Sequence, residues 1–188
     1  MDLKKMRVKQ VATTNVLLIM SVTLYFTIIS IFNITISQFF FVFGVITLLQ
    51  AVYTFLKRSS TKSIIPIYEQ VAIYEKEKMG KEWKKQRKSN SLWNLFLSGL
   101  MFFNFFINRG STDVMFQFDL GFILILVISV LFMVNLSLFL HIRKVDQART
   151  ADDLKGYTKE LNVKGVIIGS IFAVVIIIIT IVIIMNTI

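Results

Sequence analysis

The sequence predicts an all-α, polytopic integral membrane protein with about five transmembrane helices, its N-terminus cytoplasmic and its C-terminus external. Three observations lead there. Of 188 residues, 55% are hydrophobic and only 17% are charged, and the mean hydropathy is +0.71; a soluble domain carries about a quarter charged residues. The charges are also clumped. No Asp, Glu, Lys, Arg or His occurs in Val11–Leu56, Ser89–Asn108, Leu120–Leu140 or Gly165–Ile188, 111 residues in all. Finally, 20 of the 21 Lys and Arg fall in segments 1–10, 57–91 and 141–164. Five alternating spans put all three segments on one side, as the positive-inside rule expects of cytoplasmic loops.

The first charge-free run, Val11–Leu56, has 46 residues, roughly 70 Å as a single helix. A bilayer core is about 30 Å thick, so the run must fold back. The most polar patch in its later part is Asn33–Gln38, which sets span one at 13–32 and span two at 39–56. The basic stretch ahead of span one looks like a signal-peptide n-region. The apolar run behind it is too long for a signal peptide and has no small-residue cleavage site, so it reads as a retained span. Span three, 92–107, is short. Omitting it would put the basic segments on conflicting sides. Span four is 120–140 and span five 165–185, with a short external stub after it. Arg109, beside Asp113 and Asp119, is the one basic residue expected outside. The whole chain, 1–188, reads as a single membrane domain.

The charged segments carry their own patterns. Ile64, Ile67, Tyr68, Val71, Ala72, Tyr74, Met79 and Trp83 share about half of a helix circumference. Pro66 suits the first turn, where its missing N–H costs little. An amphipathic helix over 66–87, lying on the inner leaflet, is expected. Thr150–Asp153 resembles a capping box with Asp in the place of Glu, and Leu154, Tyr157 and Leu161 would line one side of a short helix ending near Asn162.

Several groups are candidates for contact. Lys76, Lys78, Lys81, Lys84, Lys85, Arg87 and Lys88 could meet anionic lipid or an acidic partner, each worth about 1 kcal/mol near an anionic surface. They serve equally as topology determinants among lipid headgroups. No base-reading motif accompanies them, so nucleic acid is not an expected partner. Gly165, Gly169 and Ala173 form a small-residue stripe on span five, suited to close helix packing within the chain or between copies. Gln50, Asn94, Asn104 and Asn135 are amides at membrane depth, read as inter-helix bridges or, alternatively, as the lining of a solute path. His141 sits at the inner end of span four, where a cation near a helix C-terminus is favourable.

The chain has no Cys and one His, which removes thiolate chemistry and makes a His-based metal site improbable. No H-E-x-x-H, Walker A or Rossmann glycine pattern occurs. No ionisable residue lies within a span, as an ion-coupled carrier would need, and Pro66, the single proline, is outside the spans. Neither an enzyme nor a cofactor is expected. The expected partners are a bilayer with an anionic inner leaflet and a membrane protein or a second copy of the chain. In size and composition the chain resembles small polytopic proteins encoded beside bacterial toxin, bacteriocin or secretion loci. The expected function is therefore protein–protein contact in the cell membrane, as in toxin immunity or a secretion accessory. A small channel or transporter subunit, and a lipid-interacting regulator, are the alternatives.

Overall fold

The computed structural model describes residues 2–112 and 120–187. Every regular element among them is helical: α1 (Leu3–Ile31), α2 (Ile36–Leu56), α3 (Pro66–Met79), α4 (Lys81–Ile107), α5 (Leu120–Gln147) and α6 (Tyr157–Thr187), with a 3₁₀ turn at Asp152–Leu154. Among the described residues, four helices, α1, α2, α4 and α5, are long and apolar enough to cross a membrane. The aspartates expected outside, Asp113 and Asp119, lie outside the described residues.

Helix boundaries differ from the sequence expectation in instructive ways. The turn between the first two spans is Phe32–Thr35, shorter and earlier than Asn33–Gln38. Thr35 and Gln38 close a capping box: the Thr35 hydroxyl accepts from the Gln38 N–H at 3.2 Å, and the Gln38 side chain accepts from the Thr35 N–H at 3.1 Å. The polar residues read as a turn are therefore the start of α2, where two otherwise unpaired backbone donors are satisfied. The helix expected over 66–87 is also two helices. The chain breaks at Gly80, whose φ of 55° and ψ of −118° suit glycine. Residues 81–91 then run without interruption into the third apolar stretch, giving a 27-residue α4. Span three looked short only because its first turns are polar. The short helix expected after Thr150 is likewise absent as a separate piece. Asp153 accepts from the Arg149 and Thr150 N–H groups, but the chain turns at Gly156 (φ 82°) and α6 then continues to Thr187.

The spans pack unevenly. Helices α2 and α4 lie antiparallel along their length, with small residues at the seam. The Ser98 hydroxyl donates to the Gly44 carbonyl at 2.9 Å, and Ser91 to the Ala51 carbonyl at 2.8 Å. A Cβ on Gly44 would stand 3.2 Å from the Phe102 ring, tighter than ordinary contact, so the close approach favours glycine. Helices α1 and α5 meet through a reciprocal amide pair, Asn15 with Asn135, at 2.7 and 3.0 Å. Farther from the charged end they part around a gap of about 500 Å³ bordered by Ile19, Phe26, Ile123 and Val127.

The hydrophobic core sits at the opposite, charged end. Ala72, Met79, Trp83, Val145, Ala148, Leu154 and Tyr157 form one buried cluster, and Met6, Ile67 and Val71 a second. The amphipathic face of α3 is thus spent on α1, α4 and α5 rather than on a leaflet; Ile64 alone of that stripe is left 91% exposed. This distribution follows from the solvent. Apolar surface in water is driven together, whereas helices in lipid gain nothing from hiding leucine from hydrocarbon.

Candidate functional site

The three basic segments converge on one cluster, built at the charged end by four helices. Arg7, one turn inside α1, reaches two carboxylates. Its Nε and Nη2 donate to Asp146 of α5 at 3.1 and 2.7 Å, a paired geometry. Its Nη1 donates to Glu75 of α3 at 2.8 Å and to Gln10, one turn along α1, at 2.8 Å. The Tyr74 ring stacks against the guanidinium at 5.2 Å. The Arg7 side chain is 7% exposed and that of Glu75 12%, so both charges are desolvated and each depends on the other.

Glu75 also accepts from His141 Nε2 at 3.2 Å, and His141 Nδ1 meets the Tyr157 hydroxyl at 2.9 Å. A carboxylate only accepts, so Nε2 carries a proton; in the neutral ring Nδ1 then accepts from Tyr157. Burial alone would raise the Glu75 carboxyl, but His141 and Arg7 outweigh it and hold it below the usual carboxylate range. Burial, with Glu160 and Glu75 nearby, pushes the Tyr157 phenol up to about 12. A carboxylate–imidazole–hydroxyl series activates nucleophiles in hydrolases. Here the hydroxyl is a phenol shifted away from ionisation, the reverse of activation.

A second tie holds α6 to α4. The Glu82 carboxylate accepts from the Thr158 backbone N–H at 3.2 Å and from its hydroxyl at 2.7 Å. An anion at the first turn of a helix meets its unpaired donors and the positive end of its dipole. Lys85 donates to the other Glu82 oxygen at 2.6 Å. Asn162 donates to Ser89 one turn farther on. Among the described residues, no buried side-chain nitrogen or oxygen lacks a hydrogen-bond partner, and no group of three or more acidic or histidine side chains could hold a metal ion.

The residues singled out from sequence fall into different places. Of the basic set, Lys76 donates to the Ser59 carbonyl and lies over the Trp83 ring. Arg87 also lies over the Trp83 ring and donates to the Lys57 and Ser60 carbonyls, fastening the end of α2. Lys85 serves Glu82, and Lys78 is half-buried, whereas Lys81, Lys84 and Lys88 are exposed. Asn135 makes the inter-helix bridge expected of it. Asn104 instead donates to its own helix, at the Leu100 carbonyl; Asn94 is half-buried on α4 and Gln50 exposed on α2. None of these four amides borders the α1–α5 gap or the cleft described next. A Cβ on Gly165 or Gly169 would meet nothing within 4 Å, and Ala173 is exposed, so within this chain the small-residue stripe faces open space. The tight small-residue seam is on α2 and α4.

Beside the cluster, α4, α5 and α6 enclose an open cleft of about 970 Å³. His141 and Tyr157 reach it from the cluster side, and Arg143, Lys144 and Lys164 lie around its charged end.

The sequence singles out His141, with Asp146 on the following turn, a pair that by itself specifies no reaction. Arg7, Glu75, Tyr157 and Glu82 complete the arrangement. One signal was available: Glu75 stands four residues from both Val71 and Met79, on the buried stripe of α3. A carboxylate there needs a partner. Fold and cluster together define an all-helical protein with helices fit to cross a membrane and a folded polar head. No protein-family model, no curated protein and no solved structure matches the chain.

Proposed function

We propose that the chain is a five-span protein of the cell membrane, its N-terminus and basic head cytoplasmic and its C-terminus external, that acts by protein–protein contact rather than by catalysis. α6 is the fifth span in this reading. The basic balance of the head supports the orientation. Toxin immunity or assistance to a bacterial secretion system are the roles that suit it.

The observation that carries the proposal is the contrast between head and spans. In the head, the ionisable groups of the cluster are spent on one another, which favours a rigid platform over a reacting centre. The apolar helices hold wide faces that none of the other described residues covers; Leu24, Ile28, Phe103, Phe132 and Ile171 are all exposed. In a bilayer such faces receive lipid tails or the helices of another protein. Purification from native membranes in mild detergent, with and without cross-linking, tests this. A defined membrane-protein partner is expected, together with altered toxin sensitivity or secretion in a deletion strain. A chain recovered alone and monomeric, with neither phenotype, removes the proposal.

A further inference from the structure

We infer that the cleft between α4, α5 and α6 is a binding site for one anionic glycerophospholipid of the leaflet next to the basic head. The inference rests on shape and charge together. The cleft's volume, about 970 Å³, is at the upper end of the usual range of ligand sites. Its walls grade from charged to apolar along the helix axes. Arg143 and Lys144 stand at one end of the α5 wall, and Met133 and Val134 at the other. From Lys144 to Met133, α5 rises about 16 Å, close to half of a hydrocarbon core of about 30 Å. The cleft therefore reaches through one leaflet, the depth of a single lipid.

Charge selects the headgroup. Lys164 is committed to Glu160, at 2.6 Å. Among the described residues Arg143 and Lys144 form no ion pair, and both are exposed. Glu160 also borders the cleft and draws on Lys144 as well as Lys164, so its one negative charge stands against three cations, and the net positive end above an apolar wall matches a phosphodiester above acyl chains. An arginine fork adds paired donors suited to phosphate. Gln86 and Asn90, from α4, border the same cleft and add neutral donors. A helix from a second copy would fit the apolar wall but would leave this positive end unanswered. The cleft is separate from the exposed lysines of early α4, so the inference is independent of any general attraction of the head to a charged surface.

The full chain purified in a mild detergent provides the test. Thermal stabilisation and lipid retention are compared for phosphatidylglycerol, phosphatidylcholine and free glycerol phosphate. Phosphatidylglycerol is expected to be retained and to raise the melting temperature. Phosphatidylcholine and glycerol phosphate, each lacking half of the match, are expected to do neither. Arg143→Gln with Lys144→Gln should weaken phosphatidylglycerol binding by about 30-fold. Lys81→Gln with Lys84→Gln, which removes equal charge elsewhere on the head, should leave it unchanged. Val166→Trp, an exposed position on the α6 wall, should exclude the lipid while the chain still elutes as a folded species. Equal losses from both lysine-bearing pairs, equal stabilisation by phosphatidylcholine, or stabilisation by glycerol phosphate alone would overturn the inference. So would cross-linking of two copies across the cleft in place of bound lipid.

Discussion

Replacing Arg7 by Met should unfasten the head. The guanidinium makes four hydrogen bonds, two to Asp146 and one each to Glu75 and Gln10, between 2.7 and 3.1 Å. Met keeps most of the side-chain volume but leaves the buried Glu75 carboxylate and the part-buried Asp146 carboxylate facing an empty position. Removing one partner of such a group costs about 3–5 kcal/mol. For chains of this size that corresponds to a fall in melting temperature on the order of 10 °C. Fluorescence-detected gel filtration after heating in mild detergent reads the change. Two further variants separate the electrostatic cause from mere crowding. Arg7→Lys, a point charge without the fork, should lose less than Arg7→Met. The triple variant Arg7→Met, Glu75→Gln, Asp146→Asn has no stranded charge and should recover more than half of the loss. The pH response should also change sign. In the native chain Glu75 sits below its ordinary range, so its contribution is complete above the unfolded carboxylate value of about 4.3 and is lost as pH falls through the lower folded value. In Arg7→Met, acidification neutralises the stranded Glu75 and should restore stability. The reasoning fails if Arg7→Met melts with the native chain, or if the triple variant melts no higher than the single one.

Three further outcomes follow from the packing and the titrating groups. Asn15→Leu or Asn135→Leu alone strands the opposite amide, whereas the double variant strands none; a double-mutant cycle should give a coupling of about 1 kcal/mol, and additive losses would remove the pair as a tie. Gly44→Leu should push α2 from α4 because even a Cβ there would already crowd the Phe102 ring at 3.2 Å and a whole leucine side chain has no room, sharply reducing disulfide formation between Ala51→Cys and Ser91→Cys, while Gly99→Leu, with open space around it, should leave that cross-link intact. Tyr157 is raised to about 12, so the stability it contributes is present below its unfolded value of about 10 and lost as pH climbs through 12; Tyr157→Phe should flatten the alkaline limb of a stability–pH curve.

The lipid-facing parts of the fold were legible from the sequence because hydrocarbon imposes one simple rule. Charge-free runs placed the four helices that are long and apolar enough to cross a membrane, and the stripe Ile67, Val71, Ala72, Met79 marked an apolar face that the structure buries against the rest of the head. The ends of elements were not legible. Gly80 looked like an interior helix residue, because a backbone of φ 55° leaves no mark on the hydrophobic pattern around it. Polar Lys81–Asn90 concealed the first third of α4, since a helix that is polar at one end and apolar at the other has no single hydropathy. The head cluster was legible only in fragments. His141 and Asp146 could be noticed, but their partners lie 66 and 139 positions away, in Glu75 and Arg7. No local periodicity reports a contact between segments so distant. The same limit explains the small-residue seam. Gly165, Gly169 and Ala173 have the tidier spacing, yet Gly44, Ala51, Ser91 and Ser98 make the close packing, because the seam depends on which helices the loops bring together.

The arrangement of five spans around a single-sided head is tested most directly by labelling, and a chain without cysteine is suited to it. Single substitutions Asn33→Cys, Lys62→Cys, Gly110→Cys, Ala151→Cys and Asn186→Cys are treated in intact cells with a membrane-impermeant maleimide, and again after lysis. Asn33→Cys, Gly110→Cys and Asn186→Cys should react in intact cells, and Lys62→Cys and Ala151→Cys only after lysis. Reaction of Lys62→Cys or Ala151→Cys in intact cells, or protection of Gly110→Cys or Asn186→Cys, would contradict the account.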